Sequence, residues 1–455
     1  MAKFTGVVRI INGRAKLETP KQQQLDLIPF PQKAPFTRTM MQAIGLALFG
    51  YQEGWAVEMS GVLAKDTIYN ARLETSADPV ADVKIAPDSS DLFAQDIALY
   101  FQTDSKQIAA KLNDAGIRTV SALYHRIRNN YAEELPAFSK YLKVPRDRIR
   151  ELLAKLETAP GSQGLVRSSP RFPVKRGINL NDLAKLAPGG KAPAAKRPGA
   201  APPKFPANAE TPNLPSTVSL AAYMTPVKDQ GMRGTCVAHA AAACLEAEYV
   251  KAGLAIPTLN LSEQYLCWAC KQIDGAANNE GTFLQFAAKV LIAGVPLPMA
   301  AGACTERQWR YNPLPVAGNE AQGPPRPGVR AALDKGDYRP LKCSQLRHTS
   351  IRALKTALAD GHCVGLSVYT YHFWTDDFAW REGVISLPLG IQPDGAHAIC
   401  LVGYEDDDAA HRDGYFVFKN SWDIRWGYGG ATPGYGRLPY RYVIREAIEA
   451  YTIER

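Results

Sequence analysis

Thr225-Pro226-Val227-Lys228-Asp229-Gln230-Gly231-Met232-Arg233-Gly234-Thr235-Cys236-Val237-Ala238-His239-Ala240 runs from a glycine-punctuated loop into an alanine-rich stretch that continues to Leu245. Alanine is the strongest helix former, so a helix beginning near Cys236 is expected. A cysteine on the first helical turn meets unpaired N–H groups and the positive end of the helix dipole. Both favour the thiolate and are expected to lower the cysteine pKa. Gln230 stands six positions before Cys236, with a turn-forming Gly231 between them, so its amide can return beside the sulfur. One cysteine at a helix start is weak evidence, because most buried cysteines are inert core residues. Reactivity needs an acid–base partner elsewhere in the chain.

Two downstream stretches supply one. Asp394-Gly395-Ala396-His397-Ala398-Ile399-Cys400-Leu401-Val402-Gly403-Tyr404 reads as a strand that carries a histidine. Phe416-Val417-Phe418-Lys419-Asn420-Ser421-Trp422-Asp423-Ile424-Arg425-Trp426-Gly427 reads as a second strand running into a turn. Taken with Gln-Gly-x-x-Gly-Thr-Cys-x-Ala, the three motifs resemble, in order, the nucleophile, histidine and asparagine segments of the papain-like cysteine peptidases.

The resemblance covers roughly Leu214 to the C-terminus and implies a two-lobe domain. A helical lobe would carry Cys236 and a β-rich lobe His397 and Asn420. It implies Cys236 as nucleophile, His397 as its imidazolium partner and Asn420 as the residue that orients the imidazole. It implies Gln230, with the Cys236 N–H, as oxyanion donor, Trp422 as a cover over the His–Asn bond, and Gly281 as a place where substrate backbone lies close. The implied activity is peptide-bond hydrolysis by a cysteine endopeptidase, with no metal and no cofactor. Val237 replaces the usual aromatic after the cysteine. Asp423 replaces a glycine in the Asn-Ser-Trp-Gly turn, where it tolerates a positive φ better than most residues. Arg233 stands where secreted members carry a disulfide cysteine. The 161 positions from Cys236 to His397 exceed the usual spacing of roughly 130 to 150. The excess is assigned to a proline-rich loop, Arg310 to Pro340, on the far side of the cleft.

Composition sets the frame. The 455 residues are 46% hydrophobic, enough for several domains. No apolar run approaches the roughly 18 residues that span a bilayer, and the first residues lack a signal-peptide core, so no membrane association and a cytoplasmic location are expected. Eight cysteines in so long a chain do not make a disulfide framework. Cys267-x-x-Cys270 lacks a second pair at zinc spacing and is read as helix packing. The net charge of +9 is concentrated in residues 160–209, where nine Lys or Arg face one Asp. That is a basic linker rather than a folded nucleic-acid surface. His239 is assigned to helix packing, and His125, His348, His362, His372 and His411 to ordinary polar roles.

The expected architecture is multidomain α+β. Residues 1–75 alternate like strands, with Asn12-Gly13 as a hairpin turn, and weakly resemble a small OB-like β-barrel. Residues 91–158 read as helical, with a Thr103-Asp104-Ser105 cap, an apolar stripe ending at Gly116, and a last helix opened by Pro145. The Ala115-Gly116-Ile117-x-Thr119 turn resembles a helix-hairpin-helix module. Such modules bind DNA or proteins, and without a basic surplus nucleic acid is the disfavoured partner. Residues 159–213 are a Pro/Ala-rich basic tether. Its extended segment and the Leu180, Leu183, Leu186 turn are a candidate inhibitor of the cleft in the 214–455 peptidase domain. The competing reading is a catalytically silent or nucleic-acid-associated scaffold working through the N-terminal modules.

Overall fold

A computed structural model describes the strands between residues 2 and 77, residues 106–158 and 178–179, and residues 214–455 apart from 297–298, 407–413 and 428–431. The chain divides into two compact units, Met1–Ser89 and Ser90–Arg455.

In the first unit, β1 (Ala2–Ile11), β2 (Arg14–Glu18), β3 (Gln24–Pro29), β4 (Ala56–Ala64) and β5 (Thr67–Ala77) close into a barrel in the order β1-β2-β3-β5-β4. Ile11 pairs with Arg14, the register set by a two-residue Asn12-Gly13 connection. β3 and β5 run parallel; the other pairs are antiparallel.

Among the described residues, the second unit begins with helices Lys106–Asp114, Val120–Asn129, Tyr131–Leu142 and Arg146–Thr158. The Thr103–Ser105 cap lies outside the described residues. Thr119 caps the second helix, its hydroxyl accepting from the Ala122 N–H at 3.1 Å. The third helix holds Pro136 in its interior. Leu112, Ile117, Leu123, Phe138, Ile149, Leu153 and Leu156 form this module's core, and Leu389 from the C-terminal region closes it. The Gly116 turn is therefore a docking element. Gly116 has φ +77°, and a Cβ there would lie 3.4 Å from the Ser386 Cα. The Ala115 carbonyl accepts the Leu387 N–H at 3.0 Å.

Between the module and the remaining chain, β6 (Ile178–Asn179) is described, and the Leu180–Leu186 turn lies outside the described residues. β7 (Thr217–Ser219), β8 (Lys342–Leu346), β9 (Val364–Thr370), β10 (Gly395–Glu405), β11 (Tyr415–Lys419), β12 (Tyr435–Pro439) and β13 (Ala447–Glu454) join β6 in one sheet. Its main path is β12-β11-β10-β9-β13-β8, with β6 and β7 paired to β10. Every pair in it is antiparallel.

Helix Cys236–Lys251 is buried on every side from Cys236 to Tyr249. A helix that is apolar all round belongs in a core, and this one packs against β10, β9 and β13 as well as helices Glu263–Lys271 and Leu284–Ala293. Glu246, buried within it, accepts from the Thr225 hydroxyl at 2.5 Å, Lys228 Nζ at 2.7 Å and the Leu261 N–H at 2.7 Å. A buried carboxylate is tolerable only when satisfied in this way.

Candidate active site

Cys236 is the first residue of its helix, on a loop threaded through a narrow space. Gly231 has φ +59°, and a Cβ there would come within 2.6 Å of Pro313. Only glycine meets both conditions. The turn is closed by the Asp229 carboxylate, which accepts the Gly231 N–H at 2.8 Å. Thr235, the N-cap, makes no capping hydrogen bond with its side chain; its hydroxyl meets the Tyr311 hydroxyl at 2.5 Å instead.

β10 carries His397 beside the start of that helix. The His397 Nε2 lies 2.8 Å from Asn420 Oδ1, and the Ser421 backbone N–H donates to the same oxygen at 2.8 Å. A backbone donor on Oδ1 fixes the amide orientation, so Nε2 carries the ring proton and Nδ1 is left as the acceptor. Nδ1 is buried and has no hydrogen-bond partner. Trp422, fully buried, stacks on the His397 ring at 4.5 Å between centroids and 26° between planes. Trp374 meets the same ring edge-on at 6.1 Å. Asp423 takes φ +65°, so the turn after Trp422 keeps its left-handed residue without glycine.

The electrostatics correct the sequence reading. Burial pushes the Cys236 thiol up, to about 11, and outweighs the hydrogen bonds from the Ala398 and Val237 backbone that pull the other way. Burial likewise pushes His397 down, to about 4, against the Asn420 hydrogen bond that raises it. The helix terminus therefore does not by itself make a thiolate. Burial favours the neutral thiol and neutral imidazole, and a proton moved from Sγ to Nδ1 is repaid only through the attraction of the ion pair it creates.

The Gln230 side chain is held at both ends of its amide. Nε2 donates to the Arg233 carbonyl at 2.9 Å, and Oε1 accepts from the Ser421 hydroxyl at 2.7 Å. Gly281 lies against the nucleophile loop: a Cβ on Gly234 would come 3.1 Å from the Gly281 N, and the Gly281 carbonyl accepts from Lys271 Nζ at 2.8 Å. Cys236, His397, Asn420, Gln230, Trp422 and Gly281 thus belong to one neighbourhood.

Other expectations are corrected by packing. The first residues of Arg310 to Pro340 brace the nucleophile loop, with Tyr311 donating to the Gln230 carbonyl at 2.8 Å and the Pro313 carbonyl accepting the Met232 N–H at 2.9 Å, while Arg339 meets Tyr249 near the other end of the Cys236 helix. His372 is no ordinary polar residue, since its Nε2 lies 2.8 Å from Glu134 of the helical module. His239 is buried in its helix, Nδ1 3.0 Å from the Thr235 carbonyl and its ring edge-on to Tyr311. The roles of Tyr311, Trp374 and Ser421 escaped the sequence reading. Ser421 stands inside the Asn-Ser-Trp motif and carried a signal; Tyr311 has no local pattern around it.

The geometry is a hydrogen-bonded histidine–asparagine pair on an antiparallel sheet that packs against the helix beginning at Cys236. The comparisons with known proteins supply the family. The family model "Papain family cysteine protease" matches residues 214–440, and the C-terminal half of this chain belongs to that family. Among curated relatives, the uncharacterized peptidase C1-like protein L477 of Acanthamoeba polyphaga mimivirus is 26% identical over 153 residues, 32% of this chain and 44% of the relative. Procathepsin L of Felis catus is 28% identical over 210 residues, 46% of this chain and 56% of the relative. The chain thus spans about half the length of the curated relatives it matches. Among solved structures, xylellain, a cysteine protease from Xylella fastidiosa, aligns over 63% of this chain and 99% of its own at 23% identity, with a TM-score of 0.46.

Proposed function

We propose that this chain is a cysteine endopeptidase acting on protein or peptide substrates. The observation that carries the reading is the His397–Asn420 hydrogen bond at 2.8 Å, which leaves Nδ1 free on a strand adjoining the start of the Cys236 helix. Cys236 gives its proton to His397 Nδ1, and the thiolate sulfur bonds to the scissile carbonyl carbon. The carbonyl oxygen becomes an oxyanion, which the Gln230 amide N–H and the Cys236 backbone N–H hold. The intermediate collapses with loss of the amine, which takes the proton from the imidazolium and leaves a thioester. Water, deprotonated by His397, then attacks the thioester, releasing the carboxylate and restoring the thiol. Asn420 keeps the imidazole in the productive tautomer throughout, while Trp422 and Trp374 exclude water from the His–Asn bond. The eight free thiols suit a reducing compartment such as the cytoplasm. The barrel and helical module are read as targeting or regulatory parts.

Labelling with a thiol-reactive peptide epoxide and mapping the adduct tests the assignment. Cys236→Ala is expected to abolish both adduct and turnover of a fluorogenic peptide panel with an unchanged circular dichroism spectrum. Near-wild-type turnover by that variant would end the peptidase reading.

A further inference from the structure

Arg233 and Tyr311 join the nucleophile loop to the segment Asn312 to Glu320. The Arg233 guanidinium is buried and makes four hydrogen bonds: Nη1 to Gln264 Oε1 at 2.7 Å and to the Asn312 carbonyl at 2.9 Å, Nη2 to the Glu320 carbonyl at 3.1 Å and to Cys267 Sγ at 3.9 Å. It also lies over the Tyr311 ring, 5.1 Å from the centroid. The Tyr311 hydroxyl accepts from the Thr235 hydroxyl at 2.5 Å and donates to the Gln230 carbonyl at 2.8 Å. One phenol oxygen thus bridges the two ends of the turn that begins at Gln230 and ends next to Cys236. The Arg233 carbonyl in turn receives the Gln230 amide at 2.9 Å. Ser421, Arg233 and Tyr311 thus each hold part of the Gln230 side chain or main chain.

We propose that Tyr311 is a positioning residue for the oxyanion donors: its hydroxyl, on a ring that lies under the Arg233 guanidinium, sets the distance between the Gln230 amide and the Cys236 N–H. This rests on the peptidase reading above and extends it. A preorganised donor pair loses effect when its spacing relaxes, because the geometry must match an oxyanion present only in the transition state. The phenol can hold this spacing because both its hydrogen bonds are short and its ring is pinned, by the cation on one side and the His239 edge at 5.0 Å on another. Removing the hydroxyl alone leaves the ring, the cation contact and the fold in place.

The test uses the full chain with Tyr311→Phe, Gln230→Ala and the double variant. Five quantities are measured: kcat and KM on a fluorogenic peptide, the inhibition constant of a peptide aldehyde, the rate of Cys236 alkylation by iodoacetamide, and the thermal midpoint. A positioning role predicts that Tyr311→Phe lowers kcat roughly tenfold with KM changed by less than about twofold. Aldehyde affinity falls in parallel, because the bound hemithioacetal places an oxygen where the oxyanion forms. Alkylation, which forms no oxyanion, keeps its rate within about twofold. In the Gln230→Ala background the tyrosine change adds less than about twofold, since the group it positions is gone. Thr235→Val, which removes the other hydroxyl, shows the same signature with a smaller loss, and serves if Tyr311→Phe does not fold. Unchanged aldehyde affinity, or losses that multiply fully in the double variant, overturn the proposal while leaving the peptidase reading intact. A wild-type chain that cleaves no peptide and binds no aldehyde overturns both.

Discussion

At the scale of single residues, Asn420 shows how one side chain settles another's chemistry. Its Oδ1 takes two N–H donors, from His397 Nε2 and Ser421, so the imidazole has one tautomer and one free nitrogen. Asn420→Ala is expected to lower kcat/KM on the order of a hundredfold, less than the loss with His397→Ala, which removes the proton carrier outright. Steady-state kinetics on one peptide checks the ranking; a silent Asn420→Ala would mean that another residue orients the ring. Sequence motifs located Cys236, His397 and Asn420 on a helix start, a strand and a strand end running into a left-handed turn, because each placement has a local pattern behind it. Tyr311 was invisible, because its partners Gln230 and Thr235 lie more than 70 positions away. The thiol's protonation was misread for a related reason, since burial is a property of the assembled lobes and outweighs a helix terminus visible in the sequence.

At the scale of elements, the helical module and the 371–391 segment are one structure. Glu134 receives Arg126 Nε at 2.7 Å and His372 Nε2 at 2.8 Å, Arg126 Nη1 reaches the Ser386 hydroxyl at 2.6 Å, and the guanidinium lies 3.9 Å from the Phe373 ring centroid. Removing one member of so buried a pair strands a charge and typically costs about 3 to 5 kcal/mol. A chain beginning at 214 would strand His372 and Ser386 and bare Leu389, so truncation is a poor test of inhibition by the tether. β6 offers a gentler one. Asn179 pairs with Gly395 and Ile178 with Ala396, one position before His397, while β9 pairs with the same residues of β10. We propose that this pairing restrains the site. The double variant Ile178→Pro, Asn179→Pro removes the N–H donors of β6 and is expected to raise kcat/KM severalfold at an unchanged thermal midpoint. Equal activity would make β6 a passing strand.

At the scale of the whole molecule, acid stability follows from groups buried in the wrong state for low pH. Burial pushes His397 down to about 4 and His239 down to about 3, each from an ordinary 6.5, and pushes Glu449 and Glu306 up to about 7 from 4.5. Below pH 6.5 the unfolded chain takes protons on two imidazoles that the folded chain refuses, while folded Glu449 and Glu306 keep two that the unfolded chain releases. The two effects offset each other down to pH 4.5. Below that, once the unfolded glutamates are protonated as well, the unfolded chain carries about two extra protons. Stability is therefore expected to change little between pH 6.5 and 4.5. It falls by about 2.7 kcal/mol per pH unit below 4.5, until the folded histidines titrate. Urea unfolding at half-unit pH steps checks this; stability that rises steadily from pH 6.5 to 4.5 would show that both imidazoles titrate normally in the fold.

What the sequence determined by itself was the order of the reactive segments and the local conformation of each. Alanines around Cys236, alternation around His397 and a turn-tolerant Asp423 are short-range facts, and short-range sterics and propensity act on them before any tertiary contact forms. The division between helical and strand lobes was legible for the same reason. Only the tertiary structure decided that the Asn312–Glu320 segment meets the nucleophile loop, that a buried arginine and a tyrosine tie down that loop, that the Gly116 turn meets Ser386, and which way burial drives the thiol and imidazole. Each depends on residues tens to hundreds of positions apart and on the water their meeting expels, and neither is written in any single stretch of chain.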